Sequence, residues 1–390
     1  MKIVHTVEAY PSKGGIGEYL DALLPRLAAA GCEVLVLARA QNHQGEGPAG
    51  PAVRYVRGAA EVLEALREIK PDIVHVHGWP ARQRLAAFYD SARPKIISHH
   101  HDYRFICPGG DLYWRRQREI CQTGMGTRCL WHAYVKHCQR SRQVTEVIRS
   151  YQRVRQNLRL VSRGDGFIAN SNFVGEKLAA AGIPRARLNV LNYFTDLRYQ
   201  PQIAPVPGRI LFIGRVAESK GVDALLEAVC GLDGGLDWSL VIAGDGYDLP
   251  RIRQMAAERG MGEKVRFTGW VSGEEKVRLL HEATVVAVPS RWPEAFGIVG
   301  IEAMACARPV VAFDTGGMRD WLTEGITGYL ITPGETRALA ATLGRLLADR
   351  SLAAQMGAAA LRQSERFRSD SHVRNLLGIY QNYYSSIKKT

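Results

Sequence analysis

The chain has 390 residues, 46% hydrophobic and 23% charged, which excludes wholesale disorder and a fibrous repeat and leaves room for two to three globular domains. Its formal net charge of +13 is uneven: residues 1–207 hold 29 Lys/Arg against 17 Asp/Glu, residues 208–390 hold 22 against 21, and residues 104–163 alone hold 13 against 3. No run of 18 or more apolar residues occurs, so a continuous apolar membrane span is not expected.

The first element is the apolar run Lys2–Val7, which starts so close to Met1 that no cleaved leader is expected and a cytoplasmic location is. Further strand-like runs lie at Glu33–Arg39, Val53–Val56, Asp72–His77, Lys95–His101, Asp165–Asn170 and Asn189–Asn192. Helical spacing of apolar residues falls between them at Glu18–Ala30, Ala59–Ile69 and Asn172–Ala181. Residues 195–208 hold three prolines and little periodicity, which reads as a linker. The rhythm then restarts, with strands predicted at Arg209–Gly214, Ser239–Ala243, Val265–Thr268, Thr284–Val288, Pro309–Phe313 and Tyr329–Ile331. Helices are predicted at Gly221–Val229, Leu249–Glu258, Glu274–His281, Ile298–Cys306, Thr336–Leu347, Leu352–Glu365 and Ser371–Ile387. Such alternation predicts α/β structure with two doubly wound, Rossmann-like domains. The expected organisation is a first domain over 1–200 with a basic insertion at about 103–163, a second over 208–368, and a closing helix within 369–390. Ligands of such sheets bind at the carboxyl ends of the strands, so the cleft between domains is the default site.

Five strings fall at predicted strand ends. Pro11-Ser12-Lys13-Gly14-Gly15-Ile16-Gly17-Glu18 joins the first strand to the first helix; its glycines allow close backbone approach to a ligand, but it is neither Gly-x-Gly-x-x-Gly nor a Walker loop. Ile97-Ser98-His99-His100-His101-Asp102-Tyr103 closes another strand; consecutive histidines there alternate direction and cannot all face one metal without a bend. Phe212-Ile213-Gly214-Arg215-Val216-Ala217-Glu218-Ser219-Lys220-Gly221 puts two cations on one loop. They either clamp a diphosphate, at roughly 1.5–3 kcal/mol per charge-assisted bond, or are merely solvated. Gly244-Asp245-Gly246 either faces the cleft or makes a plain tight turn. In Pro293-Glu294-Ala295-Phe296-Gly297-Ile298-Val299-Gly300-Ile301-Glu302, a turn leads into a helix whose free N–H groups at Phe296, Gly297 and Ile298 form an anion site, with one glutamate before it and one inside it. Glu302 as an ordinary helix residue and Glu294 as a dipole-compensating acid is the plainer alternative.

Of seven cysteines, Cys32, Cys230 and Cys306 are expected to be buried small residues. Cys107, Cys121, Cys129 and Cys138 cluster with a spacing that matches no standard zinc pattern; a structural metal, free thiols and disulfides stay open.

The chain resembles a family-4 retaining glycosyltransferase of the GT-B fold. The likeness rests on the Glu-x7-Glu string with its Ala303-Met304-Ala305 continuation, on Arg308-Pro309-Val310-Val311-Ala312, on Thr315-Gly316-Gly317, and on Gly325-Ile326-Thr327-Gly328-Tyr329-Leu330. By this resemblance Glu302 binds the ribose of a nucleotide sugar, UDP- or GDP-linked, and Glu294 the donor sugar. Phe296, Gly297 and Ile298 offer amides, and Arg215 and Lys220, beside Gly214, clamp the diphosphate with help from Gly14 and Gly15. His101 matches the family histidine beside the sugar, and the last helix returns to the first domain. The family has Gly where Ala307 stands; a positive φ there would cost Ala about 1–2 kcal/mol. The resemblance implies transfer through an oxocarbenium-like state with no obligatory divalent metal and no other cofactor.

The basic insertion carries Tyr113, Trp114, Arg115, Arg116, Arg118, Trp131, Tyr134 and Lys136 and runs into an Arg-rich helix near 139–161, a mixture that suits anionic lipid headgroups or a lipid-diphosphate acceptor. The expected acceptor is a glycan or lipid-linked intermediate of cell-surface polysaccharide or glycolipid synthesis, met on the inner face of the membrane. Nucleic acid is not expected, since no reading motif accompanies the charge. A sugar-nucleotide epimerase of the same architecture and a non-enzymatic nucleotide-sugar binder are the alternatives.

Overall fold

The computed structural model describes residues 1–11, 15–40, 52–78, 94–139, 141–232 and 234–387. These fall into two compact units: Met1–Gln117, Cys121–Tyr193 and Ser369–Thr390 in one, Phe194–Arg368 with Arg118–Ile120 in the other.

The first unit is built on β1 (Lys2–Val7), β2 (Glu33–Arg39), β3 (Ala52–Val56), β4 (Ile73–Val76), β5 (Lys95–His100), β6 (Gly166–Ala169) and β7 (Leu188–Val190), with α1 (Gly15–Ala29), α2 (Ala59–Ile69), α3 (Arg128–Val135), α4 (Val144–Val161) and α5 (Asn172–Ala180). Its seven strands run in the order β3-β2-β1-β4-β5-β6-β7, all parallel. The central strands are buried on both faces: β4 and β6 are buried at every position, although β1, β4 and β5 carry histidines among their apolar residues.

The second unit repeats the plan with β8 (Arg209–Ile213), α6 (Val222–Cys230), β9 (Ser239–Ala243), α7 (Leu249–Glu258), β10 (Val265–Gly269), α8 (Gly273–Glu282), β11 (Val285–Val288), α9 (Ile298–Ala305), β12 (Val310–Phe313), β13 (Gly328–Ile331), α10 (Thr336–Ala348) and α11 (Arg350–Ser364). Its six parallel strands run β10-β9-β8-β11-β12-β13. In both sheets the chain reverses direction beside the first strand, between β1 and β4 and between β8 and β11. At such switch points the strand ends splay and leave room for a ligand.

The closing helix α12 (Ser369–Ile387) belongs to the first unit although it follows α11 of the second. Tyr380 places its hydroxyl 2.5 Å from His75 Nδ1, His372 Nε2 lies 2.9 Å from the Tyr19 hydroxyl, and the Tyr383 ring lies where a Cβ on Gly166 would sit within 2.6 Å of it.

The structure adds to or departs from the sequence reading in three places. Residues 195–208 lack helix and strand, but they are strapped down: Thr195 N–H donates to Phe367 O at 2.9 Å, Val206 N–H to Glu282 O at 2.8 Å, and Arg368 to Leu197 O at 2.6 Å. The insertion holds an unforeseen helix, α3, and two short strands, Tyr113–Trp114 and Glu119–Ile120. Thr127 stands at the N-cap of α3, but its side chain makes no capping bond there. Cys230 is exposed rather than buried, because it ends α6 on the solvent side, and Cys32 is half-buried; Cys306 is buried as expected.

Ala307 has φ +57°, a left-handed conformation that an L side chain strains to adopt. Its carbonyl lies where a Cβ on Gly357 would approach to 2.2 Å, so the turn is held from both sides. Ala307→Gly is expected to raise unfolding free energy by about 1 kcal/mol and the melting temperature by ~2–4 °C in calorimetry.

Candidate active site

In the second unit, the segments after β8 and β11 meet at the switch point. Gly214 N–H donates to Ala243 O at 3.0 Å and Val216 N–H to Asp245 O at 2.8 Å. A Cβ on Gly244 or Gly246 would sit within 2.1 Å of the Gly214 or Val216 carbonyl, so this glycine pair serves as a close-packed buttress for the Arg215 segment. Ser219 O accepts from both Arg291 N–H, at 2.9 Å, and Trp292 N–H, at 3.2 Å. Gly221, at φ +68°, lies so near Pro289 that an added Cβ would be 1.9 Å from its carbonyl oxygen.

This stitching presents Lys220 to Glu294. The Lys220 ammonium donates to Glu294 Oε1, Ser290 Oγ donates to the same oxygen at 2.6 Å, and the ammonium lies 5.0 Å from the Trp292 ring centre. Glu294 is only 8% exposed. Burial alone pushes its pKa up, but the Lys220 charge and the bonds from Lys220 and Ser290 outweigh it and hold the carboxyl below the ordinary range.

The turn into α9 is held by its backbone. Gly317 N–H donates to Glu294 O at 2.8 Å, Trp321 Nε1 to Phe296 O at 2.7 Å, and Thr315 Oγ1 to Ser290 O at 3.1 Å. Gly297 takes φ +90°, and Gly300 packs on Trp321 so tightly that a Cβ would lie 2.2 Å from its ring. The N–H groups at the start of α9 have no carbonyl inside the helix to bond to, and the helix dipole adds positive potential there. Glu302, inside α9, accepts from Lys276 Nζ of α8 at 2.6 Å. Arg215 is exposed and has no hydrogen-bond or ion-pair partner among the described residues.

In the first unit, His101 follows β5. Its Nδ1 meets the Tyr193 hydroxyl and its Nε2 lies 2.8 Å from His77 Nδ1. Burial, with help from Arg104 and His372, pushes its pKa down to about 3, so it is a neutral imidazole at neutral pH. Asp102 accepts from Arg104 N–H at 2.8 Å and Arg104 Nε at 2.7 Å. Gly15 is the exposed first residue of α1; Gly14 lies outside the described residues. Cys107 and Cys121 are buried, Cys129 and Cys138 half-buried, and all are free thiols. Burial first and the neighbouring cysteines second push Cys138 up to about 12.

Two family models match end to end: "Glycosyltransferase Family 4" over residues 13–199 and "Glycosyl transferases group 1" over residues 194–363. The chain is similar to Anabaena HepE in complex with UDP (TM-score 0.73, 19% identity, 98% of this chain and 100% of that one). It is also similar to sucrose-phosphate synthase from Thermosynechococcus elongatus (TM-score 0.76, 19% identity, 99% of each chain). The chain has the GT-B fold, and each of its two halves matches a glycosyltransferase family model.

Among curated relatives, the chain is 32% identical over 248 residues to D-inositol 3-phosphate glycosyltransferase of Nocardia farcinica, covering 58% of this chain and 54% of that protein. It is 36% identical over 148 residues to alpha-D-kanosaminyltransferase of Streptomyces kanamyceticus, covering 38% of each. These matches thus span about half or less of the relatives' own length. The structure also shows site residues that the sequence reading passed over. Ser290 and Lys276 are the added partners of the two glutamates, and Asp223, in the first turn of α6, accepts from Arg291 at 2.6 Å and anchors the β11 segment. The usable signal was that Ser290-Arg291 follows the strand next to β8, where the order reverses.

Proposed function

We propose that this protein is a glycosyltransferase that moves a sugar from a nucleotide-diphosphate donor to an acceptor hydroxyl with retention of anomeric configuration. The observation that carries the reading is the ion pair of half-buried Lys220 with buried Glu294 at the switch point, beside the amides that open α9. A donor diphosphate would take over Lys220 and recruit the unpaired Arg215, leaving Glu294 to accept hydrogen bonds from sugar hydroxyls. Gly297 and Ile298 amides suit phosphate or sugar oxygens, and Glu302 suits the ribose. As the C1–O bond to phosphate breaks, negative charge grows on the diphosphate, where the fixed cations stabilise it. The acceptor oxygen then bonds to C1 on the same face and its proton passes to the departing phosphate oxygen. Neutral His101, whose ring nitrogens meet Tyr193 and His77, would border the sugar without adding charge.

Thermal-shift screening against UDP-, GDP- and ADP-sugars identifies the donor. The anomeric proton coupling of the product, read by NMR, then checks the stereochemistry: retention is expected, and inversion overturns the mechanism.

The acceptor we propose is a glycan or lipid-linked molecule met at an anionic membrane surface. Trp131 on α3 is 67% exposed, and Val144 and Ile148, one turn apart on α4, are 63% and 41% exposed. The neighbouring Arg142 and Arg149 are exposed too, and no helix among the described residues is long and apolar enough to cross a membrane. Aromatic and aliphatic tips beside arginine favour the lipid interface. Flotation with anionic vesicles is expected, with at least a tenfold loss for Trp131→Ala/Arg149→Glu; absence of flotation would remove the membrane from the proposal, and equal flotation with neutral vesicles would remove its anionic charge.

A further inference from the structure

Three strands of the first unit carry histidines on one face. His5 and His75 are register partners on β1 and β4; His77 follows β4, and His99 and His101 stand two apart at the end of β5. The rings lie close, His77 and His99 tilted with centroids 5.4 Å apart, and His77 with His101 and His99 with His101 stacked at 5.1 Å and 4.1 Å. One ring nitrogen from each of His77, His99 and His101 lies within 4.8 Å of the others. His100 points away, packing on Phe105 and Phe167, so the alternation of the triple histidine holds, and His77 from β4 completes the group.

His99 is 3% exposed, and neither of its ring nitrogens has a hydrogen-bond partner. A buried polar atom without a partner is costly, and a side chain with two of them invites a ligand. The other two imidazoles are held from behind. His77 Nε2 lies 2.9 Å from His5 Nδ1, and His101 Nδ1 meets Tyr193. With a proton on each of those outer nitrogens, lone pairs remain on His77 Nδ1 and His101 Nε2, which face each other at 2.8 Å. Rear hydrogen bonds of this kind fix tautomer and ring orientation in metal-bound histidines. Metal–nitrogen bonds of about 2.0–2.1 Å at tetrahedral angles set their nitrogens roughly 3.3 Å apart, so the facing pair needs to open by only about half an ångström. The three rings line a cavity of about 640 Å³ in which Glu8 and Asp102 are balanced by Arg104 and Arg153, and which supplies an approach and room for a fourth ligand.

We infer that His77, His99 and His101 form a binding site for a divalent transition metal of the zinc type, with one position open to the cavity for water or an oxygen ligand. Three neutral imidazoles suit Zn²⁺, Co²⁺, Ni²⁺ and Cu²⁺ and discriminate against Mg²⁺ and Ca²⁺. The inference stands independently of the proposed transfer reaction, since it concerns occupancy and not turnover.

Titration of the full chain with Co²⁺, followed by visible absorption, tests it. One equivalent is expected to give d–d bands without the near-ultraviolet sulfur-to-cobalt charge transfer that the four clustered cysteines would produce. His99→Ala is expected to weaken this binding at least 100-fold, whereas His100→Ala keeps it. Should His99→Ala fail to fold, electron paramagnetic resonance of Cu²⁺ on the unaltered protein counts the imidazole nitrogens directly, and three are expected. Cobalt held only by sulfur, wild-type affinity in folded His99→Ala, or fewer than three imidazoles on copper would each overturn the assignment.

Discussion

Lys220→Ala is expected to lower kcat by about 10²- to 10³-fold, because it removes a fixed cation from the place where leaving-group charge develops. Arg215→Ala is expected to cost less, since that side chain is exposed in the free protein and its charge is better screened. Lys220→Ala also strands Glu294, whose carboxylate is buried and loses its ion-pair partner. Breaking a buried pair from one side costs about 3–5 kcal/mol at neutral pH. The sign with pH follows from the two environments. In the unaltered protein Glu294 sits below its unfolded value, so its contribution to stability is full above the unfolded pKa of about 4.3 and is lost as pH falls through the lower folded value. In Lys220→Ala, burial becomes the leading influence and the folded pKa moves above the unfolded one. The penalty then grows as pH rises from about 4 through that raised value. Urea unfolding of both proteins across this range is expected to give a stability gap that widens with pH; a gap constant with pH would mean that Lys220 does not govern the ionisation of Glu294.

Gly221→Ala is expected to destabilise the second unit by about 3 kcal/mol or more. The position combines φ +68° with a backbone oxygen 1.9 Å from where the new carbon must go, and neither a rotamer change nor a flexible side chain relieves the contact. Relaxation has to separate the β8 and β11 segments, which also pulls Lys220 from Glu294. Activity is therefore expected to fall even at temperatures where the variant is folded. Gly231→Ala is the control: its φ is −87° and an added Cβ would meet its nearest neighbour at an ordinary 3.4 Å. Calorimetry of the pair checks this, and equal melting temperatures would mean that the segments are not locked together as described.

Much of this architecture was legible because both sheets are parallel and doubly covered. Their strands are short apolar runs such as Val285–Val288, bounded by polar or glycine-rich turns, and this pattern survives in the sequence alone. The string from Glu294 to Glu302 was legible for a related reason: a proline and a glycine fix where α9 begins. What the linear pattern does not carry is partnership across the sheet. Ser290 and Lys276 look like ordinary polar residues until β11 is set beside β8 and α8 beside α9. The imidazole cluster draws on three strands separated by about 70 and 25 positions, so only strand order and register could assemble it.

The return of α12 to the first unit has a consequence for biosynthesis. On the ribosome, β1 to β7 emerge long before the helix whose Tyr380, His372 and Tyr383 cover His75, Tyr19 and Gly166. At about 5–20 residues per second, the intervening stretch from Phe194 to Arg368 takes roughly 10 to 35 s to translate. The second unit can therefore mature as an uninterrupted segment, while the nascent first unit waits, with one flank of its sheet uncovered and a chaperone's natural target, until the final helix leaves the exit tunnel.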